Sequence, residues 1–104
     1  MDQPIDQQIY PKENISLGAE TRVWLAIYLL VLNRGVVTQE GVLLTEGIDI
    51  KRISLSAEVS FSYALRTIND LRKGGLLRNR KDGRLLLKLD KLEEKLTEKG
   101  APID

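Results

Sequence analysis

Residues 48–89, IDIKRISLSAEVSFSYALRTINDLRKGGLLRNRKDGRLLLKL, carry the densest punctuation in the chain. Asp49 stands where a helix N-cap belongs, so the spacing predicts a helix over 49–57 with Ile50, Ile53 and Leu55 inward and Lys51 and Arg52 outward. After a break at Ala57-Glu58-Val59, Ser60 caps a second helix over 61–73, closed by Gly74-Gly75. Its inward set is Phe61, Ala64, Leu65, Ile68 and Leu71, which leaves Ser62, Tyr63, Arg66, Thr67, Asn69, Asp70 and Lys73 outside. Leu76 to Arg80 and Arg84 to Leu89 then read as two strands joined by Lys81-Asp82-Gly83, where Gly83 supplies the positive φ of a tight hairpin.

Working outward, Val23, Trp24, Ile27, Tyr28, Leu30, Val31 and Leu32 recur at helical spacing from Ala19 to Asn33, and Gly35 follows as a stop. This helix is apolar around most of its girth, as one covered on several sides would be. Residues 36–48 read as a loop with one short strand from Val42 to Thr45. Beyond the hairpin, Leu89, Leu92 and Leu96 give a narrow stripe to a short helix over 90–99. Residues 1–14 hold two prolines and no periodicity, so they read as a flexible arm before a single domain over 15–100.

Composition narrows the chemistry. The 104 residues include no cysteine and no histidine, which removes disulfides, thiolate or imidazole metal sites, and nucleophiles or bases of those types. No enzyme activity, metal or cofactor is expected. No apolar run approaches the roughly 20 residues of a membrane span, and no secretion signal is legible, so a soluble cytoplasmic protein is expected. Charge is uneven: residues 1–50 carry three bases against seven acids, a net of −4, whereas residues 51–104 carry thirteen against eight, a net of +5. A polyanion is the partner that such a half would attract.

The order helix, short strand, helix, turn, helix, basic hairpin resembles a winged helix-turn-helix DNA-binding unit, of the type shared by MarR-like and PadR-like regulators and by plasmid or phage replication initiators. The resemblance rests on Ile53-Ser54 in the first motif helix, Val59-Ser60 at the turn, Ile68 and Leu71 in the second helix, and Gly75-Leu76-Leu77 leading into the wing, and it covers about 19–89. Ala57-Glu58 stands where many relatives place a glycine, and residues 36–47 form a longer connector than compact members have. The implied fold is mainly helical with a small β-hairpin.

Such a helix enters the major groove, which places Ser60, Ser62, Tyr63, Arg66, Thr67 and Lys73 at bases or phosphates. Arg66 suits a bidentate pair with guanine; the plain alternative is an exposed pair with Asp70 one turn on. On the hairpin, Arg78, Arg80 and Arg84 share a side by alternation, with Lys81 at the tip, and this cluster fits phosphates or a narrow minor groove. The plain alternative there is protection of an edge strand from aggregation. Gly74-Gly75 lacks the lysine and hydroxyl of a phosphate loop, and Glu40, Glu46 and Asp49 have no metal-loop spacing.

Two functions are therefore expected in order of preference. The first is a homodimeric, sequence-specific double-stranded DNA-binding protein, a transcriptional regulator or a plasmid or phage replication or partition factor, dimerising through the Trp24 helix, the C-terminal helix or both. The second is a winged-helix interaction module that binds a protein, through the same surface or the acidic first half.

Overall fold

The computed structural model describes residues 17–103; the expected arm over 1–14 lies outside them. Helix α1 spans Ala19–Arg34, followed by strands β1 (Val36–Val37) and β2 (Val42–Leu44), helices α2 (Ile50–Ala57) and α3 (Phe61–Lys73), strands β3 (Leu77–Asn79) and β4 (Leu85–Leu87), and helix α4 (Leu89–Glu98). The four strands form one antiparallel sheet in the order β1-β2-β4-β3. This is a mainly helical winged helix-turn-helix fold.

The connector before α2 holds more order than its sequence suggests. Val36 and Val37 pair with Leu43 and Val42, adding a strand where only a loop was expected. The pairing depends on Gly41, whose φ is +147° and where a Cβ would collide with the Leu87 carbonyl oxygen of the neighbouring strand. Strand β2 thereby reaches β4, with Leu43 opposite Leu86, and the wing hairpin becomes one half of a sheet rather than a free flap.

The core draws on every helix and on one face of this sheet. Val23, Ile27 and Val31 of α1 meet Ile53 and Ala57 of α2, Ala64, Ile68 and Leu71 of α3, Leu77 and Leu87 of the sheet, and Leu92 and Leu96 of α4. Leu92 and Leu96 are fully buried, so the stripe of α4 is consumed within the chain's own core and does not face a second subunit. Tyr28 of α1 donates a hydrogen bond to Glu93 at 3.0 Å, and the Lys95 ammonium lies 5.2 Å from the Trp24 ring centroid, so polar contacts tie α4 to α1 beside the apolar seam.

Both motif helices start where their caps predict: Asp49 accepts from the Arg52 backbone N–H, and Ser60 from that of Tyr63. Helices α2, α3 and α4 also end alike. In each, a residue two or three beyond the helix donates back to a carbonyl five residues earlier, Val59 to Ser54, Leu76 to Leu71 and Ala101 to Leu96. The residue just before each donor has positive φ; it is Gly75 after α3 and Gly100 after α4, but Glu58 after α2, at +59°. The missing glycine of the turn is thus replaced by a glutamate held in the conformation that glycine prefers.

Candidate nucleic-acid interface

Helix α3 is positioned from behind. Ala64, Thr67, Ile68 and Leu71 face the core, and the small Ser54 of α2, buried with its hydroxyl donating to Lys51, lets the motif helices approach. Arg22 of α1 fixes the turn between them, donating from Nε to the Ala57 carbonyl at 2.9 Å and from Nη1 to Leu17 at 2.8 Å. Sequence reasoning did not single out Arg22, because its partners are backbone carbonyls that leave no pattern in the sequence.

The outward face of α3 presents Ser62, Arg66 and Lys73, all exposed, with half-buried Asn69 between them. Ser60 is exposed at the helix start, its oxygen occupied as the cap. Thr67 does not belong to this face: at 3% exposure it lies on the inward stripe, three residues after Ala64 and four before Leu71, and cannot reach a groove. Its polar side chain suggested the wrong side of the helix.

Tyr63 is half-buried, its ring packed against the core, and the Arg66 guanidinium lies 5.1 Å from its centroid. Arg66 therefore leans toward the start of the helix rather than toward Asp70, stacked in a way that leaves its donors open. Asn69 and Arg72, which hydrogen-bond at 3.4 Å, are further polar groups on the exposed side of α3 that the sequence reading did not select. Phe61 and Leu65, expected inward, are exposed, as is Leu55 of α2 at 70%. Residues 64, 68 and 71 already fill the contact of α3 with the core, and Leu55 lies about half a turn round α2 from the buried Ala57 row.

The wing places Arg78, Arg80, Lys81 and Arg84 together around the Asp82-Gly83 tip, and all but the half-buried Arg84 are exposed. Gly83 takes φ of +87°, as the turn requires. The bases are not equally available. Arg84 donates to Asp82 Oδ2 from Nε at 3.0 Å and Nη2 at 2.7 Å. Arg80 lies 3.6 Å from the same carboxylate and 3.2 Å from Glu40, which arrives from the β1–β2 loop. The side-chain hydrogen bonds from Arg84, helped by its backbone N–H, hold the Asp82 carboxyl below the usual aspartate range, and Asp82 raises the Arg84 guanidinium in turn. Arg78 and Lys81 have no ion pair among the described residues.

No cluster of metal-ligating side chains occurs among the described residues, and none of their helices is long and apolar enough to cross a membrane.

The fold and this basic face define the class: a winged helix-turn-helix with the helix and wing surfaces by which such units meet DNA. No protein-family model and no curated protein matches the sequence. Among solved structures, a mutant of CooA from Carboxydothermus hydrogenoformans is similar at 26% identity and a TM-score of 0.61, covering 76% of this chain and 37% of that one. The imidazole-bound form of CooA, described as a CO-dependent transcription factor, is similar at 24% identity and a TM-score of 0.60, over 88% and 40%. A CRP-family transcriptional regulator from Thermus thermophilus follows at 19% identity and 0.62, over 93% and 48%. The chain thus spans less than half the length of these proteins, two of which are described as transcription regulators. What they share with this chain is the winged helix-turn-helix fold.

Proposed function

We propose that this chain is the DNA-reading part of a sequence-specific transcription regulator, with α3 in the major groove of a double-stranded target and the β3–β4 wing along the flanking phosphates. The observation that carries the reading is the outward row of α3, where Ser62, Arg66 and Lys73 stand exposed without an acidic partner among the described residues on a helix braced from behind. Arg66 reads a base, Ser60, Ser62 and Lys73 hold phosphates, and Arg78 and Lys81 lead the wing contact, with Arg80 and Arg84 exchanging carboxylates for phosphates. Tyr63 orients Arg66 more than it touches DNA itself.

The similar structures are of transcription regulators, which supports that role over plasmid or phage replication and partition. The acidic first half gives little support to a protein-docking role, since Glu40 and Glu46 are both turned to arginines of the same chain. Two copies on half-sites about 34–36 Å apart would multiply the specificity of one small module. With the α4 stripe consumed internally, the exposed Leu29 and Leu32 of α1 are the apolar groups that remain for a dimer contact on the two helices first considered.

Binding to a random duplex library across a salt series, with recovered sequences read and mass in solution recorded, tests the reading. An enriched, roughly palindromic site bound by two copies, weakening steeply with salt, is expected. Unselective binding, or none, would sink it and redirect the search to a protein partner.

A further inference from the structure

The start of α3 carries two apolar side chains that the core does not take. Phe61 is 52% exposed and Leu65 36%, whereas Ala64, Ile68 and Leu71 are at most 3% exposed. Residues 61 and 65 lie four apart and form one row along the helix; Ser62 and Arg66 form the next. The apolar row therefore adjoins the proposed groove face at the end nearest the Ser60 cap.

The charges around the row suit a polyanion. Arg72 projects within about 20° of Phe61 around the helix axis, while Asp70 projects roughly 180° away, on the far flank. An occupant must then combine an anionic backbone with an apolar group within reach of the first helical turn. In a duplex major groove that group is the C5-methyl of thymine, which the other base edges lack.

We infer that Phe61, with Leu65 beside it, is a specificity-determining contact that reads thymine methyl groups, so that the target carries thymine at one or two fixed positions next to the base pair met by Arg66. The inference rests on the DNA-reading role proposed above and adds to it the kind of base edge this part of α3 selects. Serine or alanine at position 61 would leave the polar contacts in place and remove the preference.

Replacing thymine by uracil deletes the methyl and leaves the hydrogen-bonding edge unchanged, which makes the idea testable with the full chain. Duplexes enriched from a random library are remade with deoxyuridine at one thymidine position at a time. The unaltered protein should lose about three- to fivefold in affinity at one or two positions, the factor expected for one methyl-sized group no longer withdrawn from water. Phe61→Ala should bind the two forms equally there, Leu65→Ala should show a smaller preference, and Arg66→Ala should keep the preference while losing discrimination at its own base pair. Thermal melts establish that each variant is folded, and both apolar substitutions are at exposed positions. Equal affinity of the unaltered protein for thymine and uracil duplexes overturns the inference and leaves DNA reading standing; failure to enrich any duplex overturns both. A Phe61→Ala protein that retains the thymine preference but changes its mass in solution also overturns it, and assigns the row to contact between copies.

Discussion

Helix α3 and the wing both carry clustered bases, yet they offer them to a partner on different terms. On α3, Arg66 and Lys73 have no carboxylate partner among the described residues. On the wing, two of four bases converge on Asp82, and one of these also meets Glu40. A run of bases in a sequence states how much positive charge a segment contains; tertiary pairing decides how much of it faces outward. The wing pairs are exposed, and such pairs are worth about 0–1 kcal/mol, so phosphates can displace them, but each displacement gives up a contact already made.

The largest effect should come from the strand at the base of the wing. Leu87 is fully buried and sits between Val42 and Leu77 at the base of the hairpin. Leu87→Ala should cost about 2–5 kcal/mol in denaturant unfolding. Amide exchange should quicken more in β3 and β4 than in α3, and equal acceleration in both would show that helix and wing open as one unit.

Next in size is Arg66→Ala, which should forfeit about 1–3 kcal/mol of discrimination at one base pair of the enriched site. Equal loss on every sequence would make Arg66 a phosphate contact and erase the distinction drawn between helix and wing.

The wing can be divided by its pairing. Arg78→Ala with Lys81→Ala should reduce the slope of log affinity against log salt by about 1.8, two phosphates at roughly 0.9 each. Arg80→Ala with Arg84→Ala should reduce it less, because carboxylates already hold those groups. Glu40→Gln should act in the opposite direction, tightening binding and steepening the slope by freeing Arg80. If the Arg80 and Arg84 pair proves the more costly, the carboxylate contacts open completely on DNA.

The parts of the molecule governed by local rules were legible beforehand. Asp49 and Ser60 set the starts of α2 and α3, Gly74-Gly75 set the end of α3, and the hairpin formed around Gly83. What escaped was set by distant neighbours. The first strand exists because Val36 and Val37 find β2, Glu40 meets Arg80 across forty residues, and Arg22 holds a turn thirty-five residues away. Within α3 the errors were of another kind: Thr67 was placed by its polarity and Phe61 and Leu65 by their apolarity, while the helix face was already decided by Ala64, Ile68 and Leu71. Residue type misled at the very positions where α3 departs from ordinary amphipathic order.

A smaller effect concerns the turn that sets the angle of α3 beside the wing. Glu58→Gly places glycine at a φ of +59°, as in the corresponding ends of α3 and α4. Relief of the left-handed strain, less the greater freedom glycine gives the unfolded chain, should raise stability by about 0.5–1 kcal/mol in denaturant unfolding. Duplex specificity should be unchanged. A loss of specificity with gained stability would mean that the glutamate, although costly, holds α3 at the angle the groove requires.

The smallest expected effect bears most directly on the contrast between helix and wing. The Asp82 carboxyl is held below the usual aspartate range by hydrogen bonds from Arg84, so its folded pKa lies under its unfolded one. Such a group contributes its stability in full above the unfolded value and loses it as pH falls through the folded value, so nothing should change across the neutral range. Carboxyl NMR should place the Asp82 midpoint below that of a short unstructured peptide, and Arg84→Ala should return it toward the peptide's. Solvent screens both groups, so the change in unfolding free energy should be slight. In acid, protonated Asp82 releases Arg84 and one of the two partners of Arg80, which leaves Arg80 with Glu40. An Asp82 midpoint equal to the peptide's would mean that the pair does not persist in solution and that wing and helix differ less than their geometry implies.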